Sequence, residues 1–172
     1  LIFTSGASEA AERVFDYTDV LFQFASAVEH DAIHFQTKFA ECVEIPVRSD
    51  GAAELHWLDT KKMPFAQTGA YQEGRSLVAL QQINSETGNR QDVGSALAIT
   101  RQRNALLLVD CAQGAGKMPL PDCDMAIVSA HKFGGPIGIG ALLVKNYGML
   151  KPSGGHERGY RRGTENLPAA MG

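Results

Sequence analysis

Ala105-Leu106-Leu107-Leu108-Val109-Asp110-Cys111-Ala112-Gln113 begins as five apolar residues in a row and then turns abruptly to a carboxylate and an amide. An apolar run without polar alternation suits a strand covered on both faces. Met125-Ala126-Ile127-Val128-Ser129 repeats the pattern and leads directly into Ala130-His131-Lys132-Phe133-Gly134-Gly135-Pro136. Working outward, Leu1–Thr4, Val20–Phe24, Cys42–Val47, Leu77–Ile83 and Gly140–Lys145 read as further strands. Between them Glu9–Tyr17, Val28–Phe39 and Gln91–Arg103 read as helices, the first preceded by the turn and cap chemistry of Ser5-Gly6-Ala7-Ser8. Residues 48–76 are polar, with Gly and Pro, and too weakly periodic to assign. Strand–helix alternation predicts an α/β fold: a layered, mostly parallel central sheet with helices on both faces. Ligands of such sheets collect beyond the carboxyl ends of the strands, where the polar motifs of this chain fall.

The 172 residues suffice for one domain with a substantial core. Apolar residues make up 44% and charged residues 20%, and the net charge is −3. That balance gives no footing for a nucleic-acid partner, and the basic cluster Arg158, Arg161, Arg162 is local. No apolar stretch approaches the roughly 18–20 residues of a membrane span, and no signal-peptide pattern is present. Cys42, Cys111 and Cys123 fit neither a disulfide framework nor a zinc site, so no metal is expected and a reducing, cytoplasmic setting is. Both ends read as cuts through a longer protein: the chain starts at Leu1 inside a strand-like run and stops just after a motif.

The residues after the strands form a set. A lone lysine in a glycine-rich turn is ordinarily a surface residue, but Lys132 follows an apolar strand and has Ser129 and His131 beside it. Asp110 closes another strand, where an unpaired carboxylate is costly unless it caps a turn or meets a cation. One amine, one strand-end carboxylate, a hydroxyl and an imidazole are what a protein needs to hold pyridoxal 5'-phosphate as a Schiff base, the acid facing the pyridine nitrogen. Gln113 and Asn84 could each hydrogen-bond the ring phenolate oxygen. Gly6-Ala7-Ser8 at a helix start offers amide donors to a phosphate, with Ser129 and His131 completing the cradle, although simple helix capping by Ser5 or Ser8 uses the same geometry. His30 could stack on the ring and relay protons.

Six segments in order resemble the class V aminotransferase family of fold-type I pyridoxal-phosphate enzymes, and most of all the cysteine desulfurases. They are Thr4-Ser5-Gly6-Ala7-Ser8-Glu9, Val28-Glu29-His30-Asp31-Ala32, Asn84-Ser85-Glu86-Thr87-Gly88, Asp110 to Lys117, Ser129 to Pro136, and Gly154 to Asn166. The resemblance implies that Lys132 is the Schiff-base lysine and His30 the ring-stacking acid/base residue. It implies that Asp110 pairs with the ring nitrogen and that Gln113 and Asn84 lie near the ring oxygen. Ala7, Ser8, Ser129 and His131 would bind phosphate, and Thr164 would reach the phosphate of a neighbouring subunit in a homodimer. The implied reaction takes L-cysteine to L-alanine, with sulfur passed to a cysteine persulfide for iron–sulfur cluster or thio-cofactor assembly and then to a sulfur-acceptor protein. Another class V activity, aminotransferase or selenocysteine lyase, and a non-catalytic scaffold remain as alternatives.

Two departures stand out. Ser8 replaces the more usual Thr, and Ile137 stands where a Lys is common. The sulfur-attacking cysteine and the substrate-binding arginine of the family belong to its C-terminal part. The expectation is therefore that 1–172 is the large cofactor-binding domain, without the N-terminal segment and the small domain, and inactive alone. Cys42, Cys111 and Cys123 read as core or edge residues rather than as the mobile nucleophile.

Overall fold

The computed structural model describes residues 1–37, 42–59 and 75–172. In chain order the main elements are β1 (Ile2–Thr4), α1 (Ala7–Tyr17), β2 (Val20–Ser26), α2 (Asp31–Thr37), β3 (Cys42–Ile45) and α3 (Leu55–Asp59). Then follow β4 (Arg75–Gln81), α4 (Val93–Gln102), β5 (Leu106–Asp110), β6 (Met125–Ser129), β7 (Gly140–Val144) and α5 (Leu167–Ala170). The strands form one seven-stranded sheet in the order β1-β7-β6-β5-β4-β2-β3. Strands β2 to β6 pair parallel, while β7 runs antiparallel to both β6 and β1.

Period-2 alternation within the apolar runs divides the core in two. Leu77 and Ala79, Leu106 and Leu108, and Met125 and Ile127 pack under α1 and α2, against Ala10, Val14, Phe15 and Ile33. Val78 and Leu80, Leu107 and Val109, and Ala126 point the other way, against Leu58 of α3 and Val93 and Ala96 of α4. Each fully buried Leu, Ile or Met contributes about 2 kcal/mol of transfer free energy, so the register is strongly fixed. The same parity carried to the strand ends puts Gln81, Asp110 and Ser129 on the α1 side of the sheet. A layered, mostly parallel α/β sheet with helices on both faces is what the apolar runs predicted.

The elements differ from expectation at their ends. The helix expected over Val28–Phe39 begins only at Asp31, because Ala27 and Val28 form a turn closed by Glu29 N–H donating to the Ser26 carbonyl at 3.1 Å. Residues 38 and 39 of that expected helix lie outside the described residues. The strand expected over Val20–Phe24 continues to Ser26, since β3 and β4 flank it on both sides. Ile83 leaves β4 and makes an isolated bridge to Arg90. The α4 helix starts two residues late, after Asp92, whose Oδ1 accepts the Ser95 N–H at 3.0 Å. Within 48–76, Leu55–Asp59 is helical and residues 60–74 lie outside the described residues. No described helix is long and apolar enough to cross a membrane.

Candidate active site

One cavity of about 440 Å³ opens beyond the carboxyl ends of the parallel strands. Its lining includes Ala7, Ser8, His30, Asp110, Gln113, Ser129, His131 and Lys132. With Gln81 and Ser85 added, five separate chain segments meet in one place. Lys132 sits in a 3₁₀ turn, Ala130–Phe133, that follows β6. Gly134 closes that turn at φ +94°, a left-handed conformation costly for other residues. A Cβ on Gly135 would lie 2.8 Å from that of Ala130. Gly135 N–H donates to the Ala130 carbonyl at 2.9 Å, so these glycines fold the chain back on the turn that carries the lysine. Lys132 is exposed at the cavity and makes no hydrogen bond or ion pair among the described residues.

Asp110 is buried, and its Oδ1 accepts the Ala112 N–H at 2.8 Å. No described residue hydrogen-bonds its other oxygen. Burial pushes the Asp110 carboxyl up; the Ala112 N–H and the charges of His30 and Lys132 pull it back without cancelling that rise. His30 Nδ1 accepts the Ala32 N–H at 3.1 Å, which assigns the proton of the neutral ring to Nε2. Ser129 Oγ and His131 Nδ1 lie 3.1 Å apart.

Helix α1 meets the cavity with its N-terminus uncapped by any side chain, because the N-cap is Gly6. The amides of Ala7 and Ser8 are therefore available to an anion. Gly6 has φ +155°, and Gly140 at the start of β7 is so close that its Cβ would lie 2.8 Å from the Gly6 Cα. Glycine at both positions lets this turn settle onto the sheet.

Glu9 in the first turn of α1 ties a distant segment to the same wall. Its Oε1 accepts Arg161 Nε at 2.8 Å, its Oε2 accepts Arg161 Nη2 at 3.0 Å, and Ser5 N–H donates to Oε2 at 2.7 Å. Burial alone would raise the Glu9 carboxyl, but Arg161 and the Ser5 N–H hold it down at about 2. Arg161 in turn donates to the Thr164 carbonyl at 2.9 Å, leaving Thr164 exposed outside the cavity. Because the folded pKa lies below its ordinary 4.5, the clamp stabilises the fold fully above that pH and is lost as pH falls through about 2. Glu9→Gln is expected to cost ~2 kcal/mol at neutral pH in urea unfolding, the deficit shrinking in acid.

Matching against known families gives one family model, aminotransferase class-V, over residues 1–172. The chain belongs to the aminotransferase class-V family. It is 32% identical over 195 residues to a cysteine desulfurase of Cereibacter sphaeroides, covering 100% of this chain and 47% of that protein. It is 30% identical over 184 residues to the cysteine desulfurase IscS of Proteus mirabilis, covering 95% and 43% respectively. Among solved structures, a NifS-like protein superimposes with a TM-score of 0.83 at 29% identity, over 98% of this chain and 49% of that one. The chain thus spans under half the length of these curated relatives.

Of the residues expected around the cofactor in this cavity, Asn84 is not in the lining. Asn84 is occupied as a turn former: its Oδ1 accepts the N–H groups of Glu86 and Thr87, at 3.0 and 2.8 Å, and its Nδ2 donates to the Val28 carbonyl at 3.1 Å. Thr164, expected at the phosphate of a neighbouring subunit, lies outside this cavity on the Arg161 arm. Sequence reasoning missed Glu9 as a clamp, Gln81 as part of the wall, and Glu29 as a buried acid beneath it. Only Glu29 carried a signal, as a carboxylate in the strand-to-helix turn of His30. All three cysteine thiols are pushed up by burial, Cys42 and Cys123 to about 11 and Cys111 further. Among the described residues no group of His, Cys, Asp or Glu is placed to hold a metal.

Proposed function

We propose that this chain is the large, cofactor-binding domain of a pyridoxal 5'-phosphate-dependent cysteine desulfurase that takes L-cysteine to L-alanine. The sulfur passes to an acceptor thiol for iron–sulfur cluster or thio-cofactor assembly. The observation that carries this reading is the convergence of Lys132, Asp110 and His30 with an open helix N-terminus on one cavity.

The residues fit the cofactor. A buried carboxylate with one oxygen unengaged suits a protonated ring nitrogen, and the Ala7 and Ser8 amides with Ser8, Ser129 and His131 suit a phosphate. Bound there, the group supplies an electron sink for negative charge developing on the substrate. Lys132 would hold its aldehyde through the free amine and later move a proton to or from the substrate carbon. Asp110 would keep the proton on the ring nitrogen. His30 would cover the ring face and exchange a proton at Nε2, the nitrogen that the Ala32 contact leaves open. Gln113 would offer its amide to the ring oxygen, while Asn84 supports the site through the His30 turn instead of through direct contact.

Thr164 and its arm would reach the phosphate site of a second copy in a homodimer, which the exposure of Thr164 supports. High thiol pKa values disfavour Cys42, Cys111 and Cys123 as the acceptor, and unpaired thiols favour a reducing, cytoplasmic setting. Full-length protein loaded with pyridoxal phosphate and given L-cysteine is expected to release alanine in step with sulfide under a reducing thiol. Keto-acid product would point to an aminotransferase instead. Absence of a visible absorption band from well-folded protein would point to a scaffold.

A further inference from the structure

Glu29 is buried in the wall that the proposed mechanism leaves unused. Its Oε1 accepts the Gln81 N–H at 2.8 Å, and its Oε2 is fully buried without any hydrogen-bond partner. Around it the turn between β2 and α2 is fastened to the end of β4. Gln81 and Asn84 side chains both donate to the Val28 carbonyl, two residues before His30. Gln81 pairs in register with Asp110 of β5, and Gln82 N–H donates to the Asp110 carbonyl at 2.8 Å.

Two carboxyl groups are thus enclosed behind one wall, and their charges repel. Lys132 and His30 act on Asp110, which also takes an amide hydrogen bond and reaches the cavity. The charge of Asp110 acts on Glu29, and among the described residues no Lys or Arg forms an ion pair with it. Asp110 thus has an amide donor and facing cations to hold a negative charge, while the buried Oε2 of Glu29 has neither.

We propose that Glu29 is an uncharged positioning residue: it clips the segment leading into His30 to the end of β4 and leaves Asp110 as the anion of the two. This rests on the function proposed above for Asp110 and His30. Burial, partly offset by the Gln81 N–H and reinforced by Asp110, holds the Glu29 carboxyl up at about 8 against an ordinary 4.5. With the folded value the higher one, the native state holds the proton more tightly, so the fold loses stability as pH rises from about 4.5 through about 8.

Glu29→Gln keeps the acceptor for Gln81 and cannot ionise; Glu29→Leu removes the acceptor at similar volume. Thermal melts of full-length apoprotein across pH 5 to roughly 9 read the protonation directly, with or without cofactor binding. The Gln variant is expected to melt several degrees above wild type at the alkaline end and to converge with it in acid. Superimposed profiles would overturn the proposal. In loaded enzyme at neutral pH, the Gln variant is expected to keep kcat within about twofold, and the Leu variant to lose about tenfold in kcat with KM for cysteine little changed. A Gln variant as impaired as Leu would mean that the charge itself is used, and a Leu variant matching wild type would mean that nothing is positioned; either sinks the idea. If the proposed function is wrong but this one is right, the melts diverge as stated and the visible band is absent.

Discussion

Lys132→Ala in the full-length protein is expected to abolish the visible band that forms on adding pyridoxal phosphate and to lower turnover of L-cysteine by at least about a thousandfold. The reasoning is local. Among the described residues Lys132 is the only lysine lining the cavity, and it makes no hydrogen bond or ion pair with them, so its removal leaves no buried partner stranded. It lies in a surface-accessible 3₁₀ turn whose shape is set by Gly134 and Gly135, not by the lysine side chain. Its loss should therefore change stability by no more than the ~0.5 kcal/mol typical of surface substitutions, leaving the melt nearly unmoved. A thousandfold loss corresponds to about 4 kcal/mol of barrier, far outside any stability effect. Lys132→Arg is expected to fail equally, because a guanidinium keeps the charge but is not a usable nucleophile. The measurements are absorbance on titration with pyridoxal phosphate, alanine release, and a melt of the apoprotein. A persistent band in the Ala variant would refute the assignment; lost activity with a collapsed melt would make the lysine structural.

How much of this was legible beforehand follows from one property of apolar strands. Runs such as Leu106 to Val109 and Met125 to Val128 announce strands covered on both faces, and period-2 parity then fixes which way their polar ends point. Asp110 and Ser129 inherit the direction of Leu106, Leu108, Met125 and Ile127, so meeting at one cavity under α1 follows from the pattern. Segment boundaries were less legible where side chains compete with the helix for backbone partners. Val28 to His30 looks helical by composition, yet Glu29, Gln81 and Asn84 bind across elements and hold it out of the helix. Long-range ion pairs leave no local trace either: Glu9 and Arg161 are far apart in sequence, and nothing around either predicts the other. Asn84 shows the converse limit. Its place in a motif suggested ring contact, but nothing there announced that its side chain also holds its own turn.

Asp110→Asn is expected to separate stability from catalysis in opposite directions. In the apoprotein the Asp110 carboxyl is held above its usual range mainly by burial, so the native state grips the proton more tightly than the unfolded chain does. By linkage, the cost of keeping this acid grows as pH rises above the unfolded value of 3.8. The asparagine can still accept the Ala112 N–H through its carbonyl, and it never ionises. The Asn apoprotein should therefore be more stable than wild type at neutral pH by ~1 kcal/mol, with the two converging in acid. Turnover should move the other way, by about 10²- to 10³-fold, since one preorganised charge aimed at the reacting system is lost. Cofactor uptake should survive, because the Ala7, Ser8 and Ser129 side of the cavity is untouched. An Asn variant that is both less stable and unable to bind pyridoxal phosphate would show that Asp110 serves the fold. A more stable variant that binds but turns over slowly would show a carboxylate kept, at a cost to the fold, for the charge it presents to the cavity.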